Sequence, residues 1–423
     1  MTYLSGPKHL RRSDQTGHPI TEMNKRSGVA SFLLVQILRP AGLLVQFAIL
    51  SRALDPDEFS SFALLFNLAV LTSIVSDLGQ RQVAFASVRR ASPAEIGTIA
   101  GTAITLKIAG SAVLLLAIAS CAAVGVIDLW SALALWIVSV SSPIGDPVSA
   151  LLRGMGAPLT EARASALEQV TLVALAVAVL SLGINSSIVA LIGFGLIGVL
   201  RQFVLLSVLV TMLGGTSGVH LRIPPPREIG VTLLAAASVF AAVNFERLPV
   251  LALAPTLGTA QFAVLGAVWP LVARSTLVVT AFVQAGYQRH GNTVGRLANS
   301  PRLLAAATFG MALVGGVALV WLAEPFVRLY LGADLVDGAT IMPAIAFMAL
   351  FYLPLFSVRL LLQFEGRHLL VLWTLAFAGA AVWVVSVSAP LNGLVVAVPY
   401  ATAALLSLSV LLVAASRRKE SPS

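Results

Sequence analysis

Twelve apolar runs, each long enough to cross a lipid bilayer, leave this chain little choice of fold. They cover roughly Gly28–Ser51, Phe59–Ser76, Ile96–Val124, Leu129–Leu152, Ala164–Leu182, Ile188–Leu213, Ile229–Leu253, Ala260–Val283, Leu303–Leu322, Ala339–Leu362, Leu369–Val387 and Gly393–Ala415. At 1.5 Å per residue, about 20 residues span the ~30 Å hydrocarbon core. Backbone polar groups in lipid must be bonded within their own segment, so runs of this length become helices. Composition agrees: 58% of the residues are apolar and 11% charged, against about 25% charged in a soluble domain. The single cysteine, Cys121, excludes a disulfide framework, and the five histidines show no pair at ligand spacing. No cofactor or metal is expected.

Charge sets the orientation. With the N-terminus in the cytoplasm, nineteen of the 27 lysines and arginines fall on the cytoplasmic side, including Lys8, Arg11, Arg12, Arg89, Arg90, Arg222, Arg289, Arg417, Arg418 and Lys419. Only Arg52 and Arg328 fall outside. That bias is the positive-inside rule. The net charge of +9 is then a topology signal rather than a nucleic-acid footprint. Both termini are expected in the cytoplasm of a bacterial inner membrane. Residues 1–27 read as a disordered tail, 28–213 as an N-terminal six-helix bundle, 214–228 (with Pro224, Pro225 and Pro226) as a cytoplasmic linker, 229–416 as a C-terminal six-helix bundle, and 417–423 as a second tail.

The two halves echo each other. Leu54-Asp55-Pro56-Asp57-Glu58-Phe59 follows the first span, and Leu257-Gly258-Thr259-Ala260-Gln261-Phe262 follows the seventh. Leu151–Gly156 and Leu361–Gly366 follow the fourth and tenth. Six spans per half imply parallel repeats about an axis along the membrane normal. The same stretches carry a family resemblance. Ser51 to Gly79, with Asp77-Leu78-Gly79, resembles the start of Wzx-type polysaccharide flippases, although Asp55 stands where glycine is usual. Asn244-Phe245-Glu246-Arg247-Leu248 is similar to that family's "Asn-x-Asp-Arg-Leu" helix, with Glu246 in place of aspartate. Tyr330–Asp334 and Gly366-Arg367 resemble its loops around the tenth span. The resemblance covers the chain after Ser27. It implies the exporter superfamily that also holds multidrug MATE transporters, and with it the MATE-like fold: an all-α polytopic protein of about 12 transmembrane helices. The implied activity is to move a polyprenyl-pyrophosphate-linked oligosaccharide across the membrane by alternating access, without catalysis. Membrane lipid, a polysaccharide polymerase and glycosyltransferases are the implied partners. A multidrug efflux transporter of the same superfamily is the alternative.

Six basic residues lie inside the spans: Arg39, Lys107, Arg201, Arg247, Arg274 and Arg359. A charge at a span's centre costs about 2.5–3.5 kcal/mol on insertion scales, so such residues face protein or water. Arg39 lies about 16 Å into its run at 1.5 Å per residue, near mid-bilayer. Gln36, Arg39 and Gln46 share one face of the first span; Ser142, Asp146, Ser149 and Arg153 share one of the fourth; Tyr352, Arg359 and Gln363 share one of the tenth. These ridges suit an aqueous cavity. The six cations are candidates for a cationic chamber that receives a pyrophosphate headgroup. Lys107 and Arg359 could instead snorkel to the cytoplasmic interface. Asp146 and Glu246 are candidate coupling carboxylates; the alternative for Asp146 is a buried partner of Arg201 or Arg39 with no transport role. Adjacent helical residues point about 100° apart, so Arg247 is expected to find a partner on another helix rather than Glu246. Prolines inside the spans, among them Pro40, Pro143, Pro147 and Pro249, predict bends or breaks. Gly193-Phe194-Gly195-Leu196-Ile197-Gly198 matches a dinucleotide fingerprint only on paper. Inside an apolar span it reads as close helix packing.

Overall fold

The computed structural model describes residues 23–88, 91–142, 146–288, 300–364, 367–388 and 393–416. Among these, every regular element is helical. The N-terminal half comprises α1 (Met23–Ala53), α2 (Pro56–Asp77), α3 (Gln80–Val88), α4 (Pro93–Ala123), α5 (Leu129–Ser141), α6 (Pro147–Gly154), α7 (Pro158–Ser181) and α8 (Ser187–Met212). The C-terminal half comprises α9 (Pro226–Leu253), α10 (Thr259–Gln288), α11 (Pro301–Trp321), α12 (Ala323–Tyr330), α13 (Met342–Phe364), α14 (His368–Ser388) and α15 (Gly393–Ser416). Nine helices among the described residues are long and apolar enough to cross a membrane. The other three of the twelve expected positions are held by α1, α10 and the α5–α6 pair. This is a multi-pass membrane protein. The two tails were placed on residues 1–27 and 417–423: residues 1–22 and 417–423 lie outside the described residues, while residues 23–27, expected to be disordered, form the first turns of α1.

Local chemistry explains where the helices begin. Asp55 accepts from Glu58 N at 2.9 Å, with Pro56 in the first turn of α2. Asn185 Nδ2 donates to the other oxygen of Asp55 at 2.6 Å. The Glu58 N–H and then Asn185 hold this exposed carboxyl below the usual aspartate range. Asp128 caps α5 through Trp130 N and Ser131 N, and Ser92 N donates to Glu95 Oε2 at 2.8 Å at the start of α4. Pro158 starts α7 six residues before the apolar run begins, which draws Glu161 into its first turn.

The fourth span, in which Pro143 and Pro147 predict a bend or break, is interrupted. It is split into α5 and α6. Asp146 ends the break by accepting from Val148 N and Ser149 N at 3.0 and 3.4 Å, and Pro147 opens the new helix. A proline cannot donate to the preceding turn, and the carboxylate accepts from the first free N–H groups of the new helix. Two elements were not anticipated: α3, on the side where the charge count expects the cytoplasm, and α12, on the opposite side, both short.

Helix packing repeats between the halves. In the N-terminal half α1 packs on α7, α5 on α8, and α4 on α5. In the other half α9 packs on α14, α13 on α15, and α11 on α13. These are equivalent pairs in the twelve-span order. The halves meet through α2 with α9, α1 with α10, and α2 with α10. Each half has an aromatic core. Phe47 meets Phe59, Phe62 and Phe66 edge-on at 5.5–6.1 Å, and Phe62 meets Phe194. In the other, Tyr400 stacks on Phe245 at 4.8 Å and meets Trp269 edge-on at 5.8 Å.

The glycines of the discarded fingerprint do what small residues do in a bundle. A Cβ on Gly193 would meet Leu175, one on Gly195 would meet Ile137, and one on Gly198 would meet Ser141, all below 3 Å. The segment between the halves is seated rather than slack. His220 N donates to Gly97 O at 3.2 Å, and a Cβ on Gly101 would stand 2.0 Å from His220 O. Two glycines four apart thus let the backbone of the connection lie directly on α4. Gly101→Val is expected to destabilise the protein by about 1–3 kcal/mol through overpacking. It should also raise protease cleavage within 216–221. Gly230→Ala, where nothing lies within 4 Å of the new Cβ, should change neither the thermal midpoint nor the cleavage.

Candidate substrate cleft

Buried charge concentrates on the helices that meet at the centre. In the N-terminal half the hub is Arg201 of α8. Its Nη2 contacts Asp146 Oδ2 at 2.9 Å and Ser149 Oγ at 2.8 Å, and its Nε lies 3.4 Å from Glu168 Oε2. Ser149 Oγ donates to Asp146 Oδ2 at 2.6 Å. Arg39 of α1 donates to Ser165 Oγ at 2.9 Å and pairs with Glu161 Oε1 at 3.5 Å. Arg153 of α6 pairs with Glu161 Oε2 at 2.9 Å. Gln46 donates to Gln169 at 3.0 Å beside them. Three arginines therefore face three carboxylates across α1, α6, α7 and α8, and the set balances its own charge.

In the C-terminal half the centre is Glu246 of α9. Its Oε1 pairs with Arg247 Nη2 at 3.0 Å, and its Oε2 accepts from Tyr352 OH at 2.7 Å. This corrects the expectation that Arg247 would look away from its neighbour. A long guanidinium covers the 100° offset, and the carboxylate is turned toward α13. Arg247 also has the expected cross-helix partner: Nη1 donates to Asn67 Oδ1 of α2 at 2.8 Å, across the boundary between the halves. Arg247 is 1% exposed, so both bonds are shielded from water.

Arg359 is 8% exposed with its guanidinium 4.3 Å from the Phe356 ring. It is buried within reach of Glu246, Tyr352 and Tyr400, so the option that it snorkels to the interface does not hold. Lys107 Nζ donates to Ser76 Oγ at 2.8 Å and lies within reach of Asp77 and Asp146. It too points inward. Arg274 of α10 is half-buried and within electrostatic reach of Arg247, Arg39, Glu246 and Glu168. Among the described residues it has no hydrogen-bond or ion-pair partner.

The six sequence candidates thus separate. Arg39, Arg247 and Arg274 converge where the halves meet. Arg201 is locked inside the N-terminal half, Lys107 lies beside it on α4, and Arg359 lies within the C-terminal half. The side chain of Gln36 lies outside the described ones. Glu161, Arg153 and Asn67 were missed as buried partners. A signal for the first existed: Glu161, Ser165, Glu168 and Gln169 recur at i, i+4, i+7 and i+8, a polar stripe on one face of α7. Among the described residues no group of three His, Cys, Asp or Glu is placed to hold a metal ion.

No protein-family model matches the sequence, and no curated protein does. Solved structures do. An inward-facing multidrug resistance MATE family transporter of the MOP superfamily aligns over 93% of this chain and 100% of its own, with a TM-score of 0.65 at 13% identity. An outward-facing member aligns over 92% and 96%, with a TM-score of 0.55 at 14% identity. A MOP superfamily transporter from Pyrococcus furiosus Vc1, described as having a binding pocket of reverse polarity that suggests a different function, aligns over 92% and 96% with a TM-score of 0.54 at 14% identity. The chain has the MATE exporter fold.

Removing one member of a buried ion network leaves its partners charged and unpaired, which costs about 3–5 kcal/mol. Arg201→Ala should therefore lose folded protein, seen as aggregation in detergent and a lower thermal midpoint. Arg201→Met with Asp146→Asn and Glu168→Gln should recover most of it. A single Arg201→Ala that melts like the parent would show that the network carries no structural burden.

Proposed function

We propose that this protein is an alternating-access transporter that moves an amphiphile with an anionic headgroup across the cytoplasmic membrane. In the finer reading the cargo is a polyprenyl-pyrophosphate-linked oligosaccharide, delivered by glycosyltransferases on the cytoplasmic side and passed to a polysaccharide polymerase outside. The observation that carries the anionic reading is Arg274: a half-buried guanidinium at the meeting of the two halves, without a carboxylate partner among the described residues. The neighbouring arginines are already matched, so Arg274 holds the charge left to answer a phosphate. Guanidinium presents a planar fork to phosphate oxygens, which lysine does not. Arg39 supports it, being tied by one hydrogen bond and one 3.5 Å pair. Arg201, Arg247, Lys107 and Arg359 frame the site.

A second reading is multidrug efflux, favoured by the solved structures of this fold, two of which are described as multidrug transporters. The Pyrococcus protein, with its pocket of reverse polarity, supports deciding cargo from the pocket rather than the fold. A drug cation would be drawn to Glu246, but Arg247 and Tyr352 already occupy both its oxygens.

Proteoliposomes separate the readings. Arg274→Ala should keep the parent's thermal midpoint and lose transport of a pyrophosphate-linked polyprenyl saccharide, with affinity falling by about 1.5–3 kcal/mol for a lost charged hydrogen bond. Arg274→Lys should restore little. Efflux of a cationic dye, unaffected by Arg274→Ala and without pyrophosphate-lipid transport by the parent, would assign the protein to multidrug export. Asp146 and Glu246 remain the proposed coupling carboxylates, since both are held by groups that move with the bundles. If either takes up the coupling proton, Asp146→Asn or Glu246→Gln should flatten the pH dependence of transport. Normal pH profiles in both variants would remove them from coupling.

A further inference from the structure

Positive charge is scarce on the exterior side of this chain, where only Arg52 and Arg328 stand. The two are used differently. Arg328 makes an exposed pair with Glu324, one turn away on its own helix, at 2.8 Å. Arg52, in the last turn of α1, crosses to the other half. Its Nη1 donates to Tyr330 O at 2.9 Å and its Nη2 to Leu329 O at 2.5 Å, while Nη1 also reaches Ala48 O of its own helix. Both cross-half acceptors are terminal carbonyls of α12. Helix ends leave such carbonyls without intrahelical donors, and the helix dipole makes them negative. The chain then turns away through Gly332 at φ 105°, a left-handed conformation that favours glycine, and the arginine stem lies alongside it: a Cβ there would stand 3.8 Å from Arg52 Cγ, in ordinary van der Waals contact.

We propose that Arg52 is an exterior latch: a side chain of the N-terminal half that caps a helix of the C-terminal half and must let go before the cleft can open outward. Nearby cross-half contacts mark the same closed rim. Ser60 Oγ donates to Thr259 O at 3.2 Å, and Gly266 approaches Ala63 so closely that a Cβ would stand 2.6 Å from Ala63 Cβ. Those contacts are neutral packing between α2 and α10. The Arg52 contact is the charged one on the rim, and it is exposed to water. An exposed bond of this kind, open to competition from water, is weak. That suits a gate, which must close reproducibly and still open on a transport timescale. The carbonyl partners are backbone, so substitution on α12 cannot remove them; the latch is controlled from Arg52 alone.

The proposal assumes that the halves rock, so its test reads conformation and not cargo. Cys121, the single cysteine and an exposed one, is first replaced by serine. Spin labels are placed at Asp57→Cys in α2 and Asp334→Cys after α12, both exposed exterior positions on opposite halves, and pulsed dipolar spectroscopy gives the distance distribution in liposomes. Arg52→Ala should raise the ratio of long to short distances roughly fivefold, equivalent to ~1 kcal/mol at 1.4 kcal/mol per decade. Arg52→Lys, which keeps a donor and a charge, should fall between. Arg328→Ala should leave the distribution at the parent's. Two populations in the parent, unchanged by Arg52→Ala, would overturn the latch and leave alternating access standing. One short distance in the parent and in Arg52→Ala would overturn both. A shift with Arg52→Ala in a protein that fails to move the pyrophosphate lipid would keep the latch and refute the cargo.

Discussion

Arg201 is the residue on which the N-terminal half depends. A guanidinium at 4% exposure in the middle of a lipid-immersed bundle has no water to fall back on. It is tolerable only because Asp146 and Glu168 are brought to it from two other helices. That demand explains the break in the fourth span. Asp146 must both cap α6 and present an oxygen to Arg201. A continuous helix could not leave the Val148 and Ser149 N–H groups free to bind it. The ion pair, the cap and the helix break are one arrangement. It extends through Glu161 to Arg39 and Arg153, so α1, α6, α7 and α8 are bound into a unit. Buried pairs of this kind add little net stability but penalise any geometry that separates them. They are suited to a half that moves as a rigid body.

The other half is organised differently, and the difference bears on mechanism. Glu246 gathers Arg247, Tyr352 and, through its backbone carbonyl, Trp269 Nε1 at 2.5 Å. Arg247 alone among these reaches the opposite half, at Asn67. Near the cytoplasmic end of the same seam, Gly79 at φ 74° lies against Thr232 and Ala236 of α9. The α2–α9 contact is therefore held at two levels. One is polar and shielded from water, and the other is a backbone approach that admits no side chain. A seam of this kind is a natural axis for rocking, while the exposed exterior contact of Arg52 is a natural place for it to begin.

Much of this fold could be read before any coordinates. Twelve apolar runs carry the twelve spanning positions, which α1, α10, the α5–α6 pair and the nine long apolar helices fill. The pairing of α1 with α7 and α9 with α14 follows the repeat that the Leu54 and Leu257 turns announce. The site was less legible, for a physical reason. Periodicity tells which residues share a face, but it cannot say which faces meet. The pairing of Arg201 with Asp146 was one of the readings the sequence left open, but the partner of Arg39 was not seen, because Glu161 had been left outside its helix by a start placed six residues late. Asn67 carried no signal beyond being the lone amide in an apolar helix. The Arg247–Glu246 pair was argued against from helical angle alone. Angle describes Cβ directions, while an arginine and a glutamate together have several torsions with which to meet.

These pairings change how a charge count should be used in a membrane protein. Six basic residues in the spans suggest a cationic chamber only if they are unmatched. Arg39, Arg153 and Arg201 together face Asp146, Glu161 and Glu168, so the N-terminal network is neutral as a set. Arg247 is matched by Glu246, and Lys107 lies within reach of Asp77 and Asp146. The surplus sits on α10 and α13: Arg274 at the junction, and Arg359 against an aromatic face. Positive potential is then localised on the C-terminal wall rather than spread around a ring. If the cargo is the proposed anionic amphiphile, a headgroup held mainly against that wall would stay with the C-terminal half as the other swings, and Arg39, loosely tied, would be the N-terminal group it has to leave. In the proposed cycle such an asymmetry would help, because a headgroup clamped equally by both halves would resist their separation.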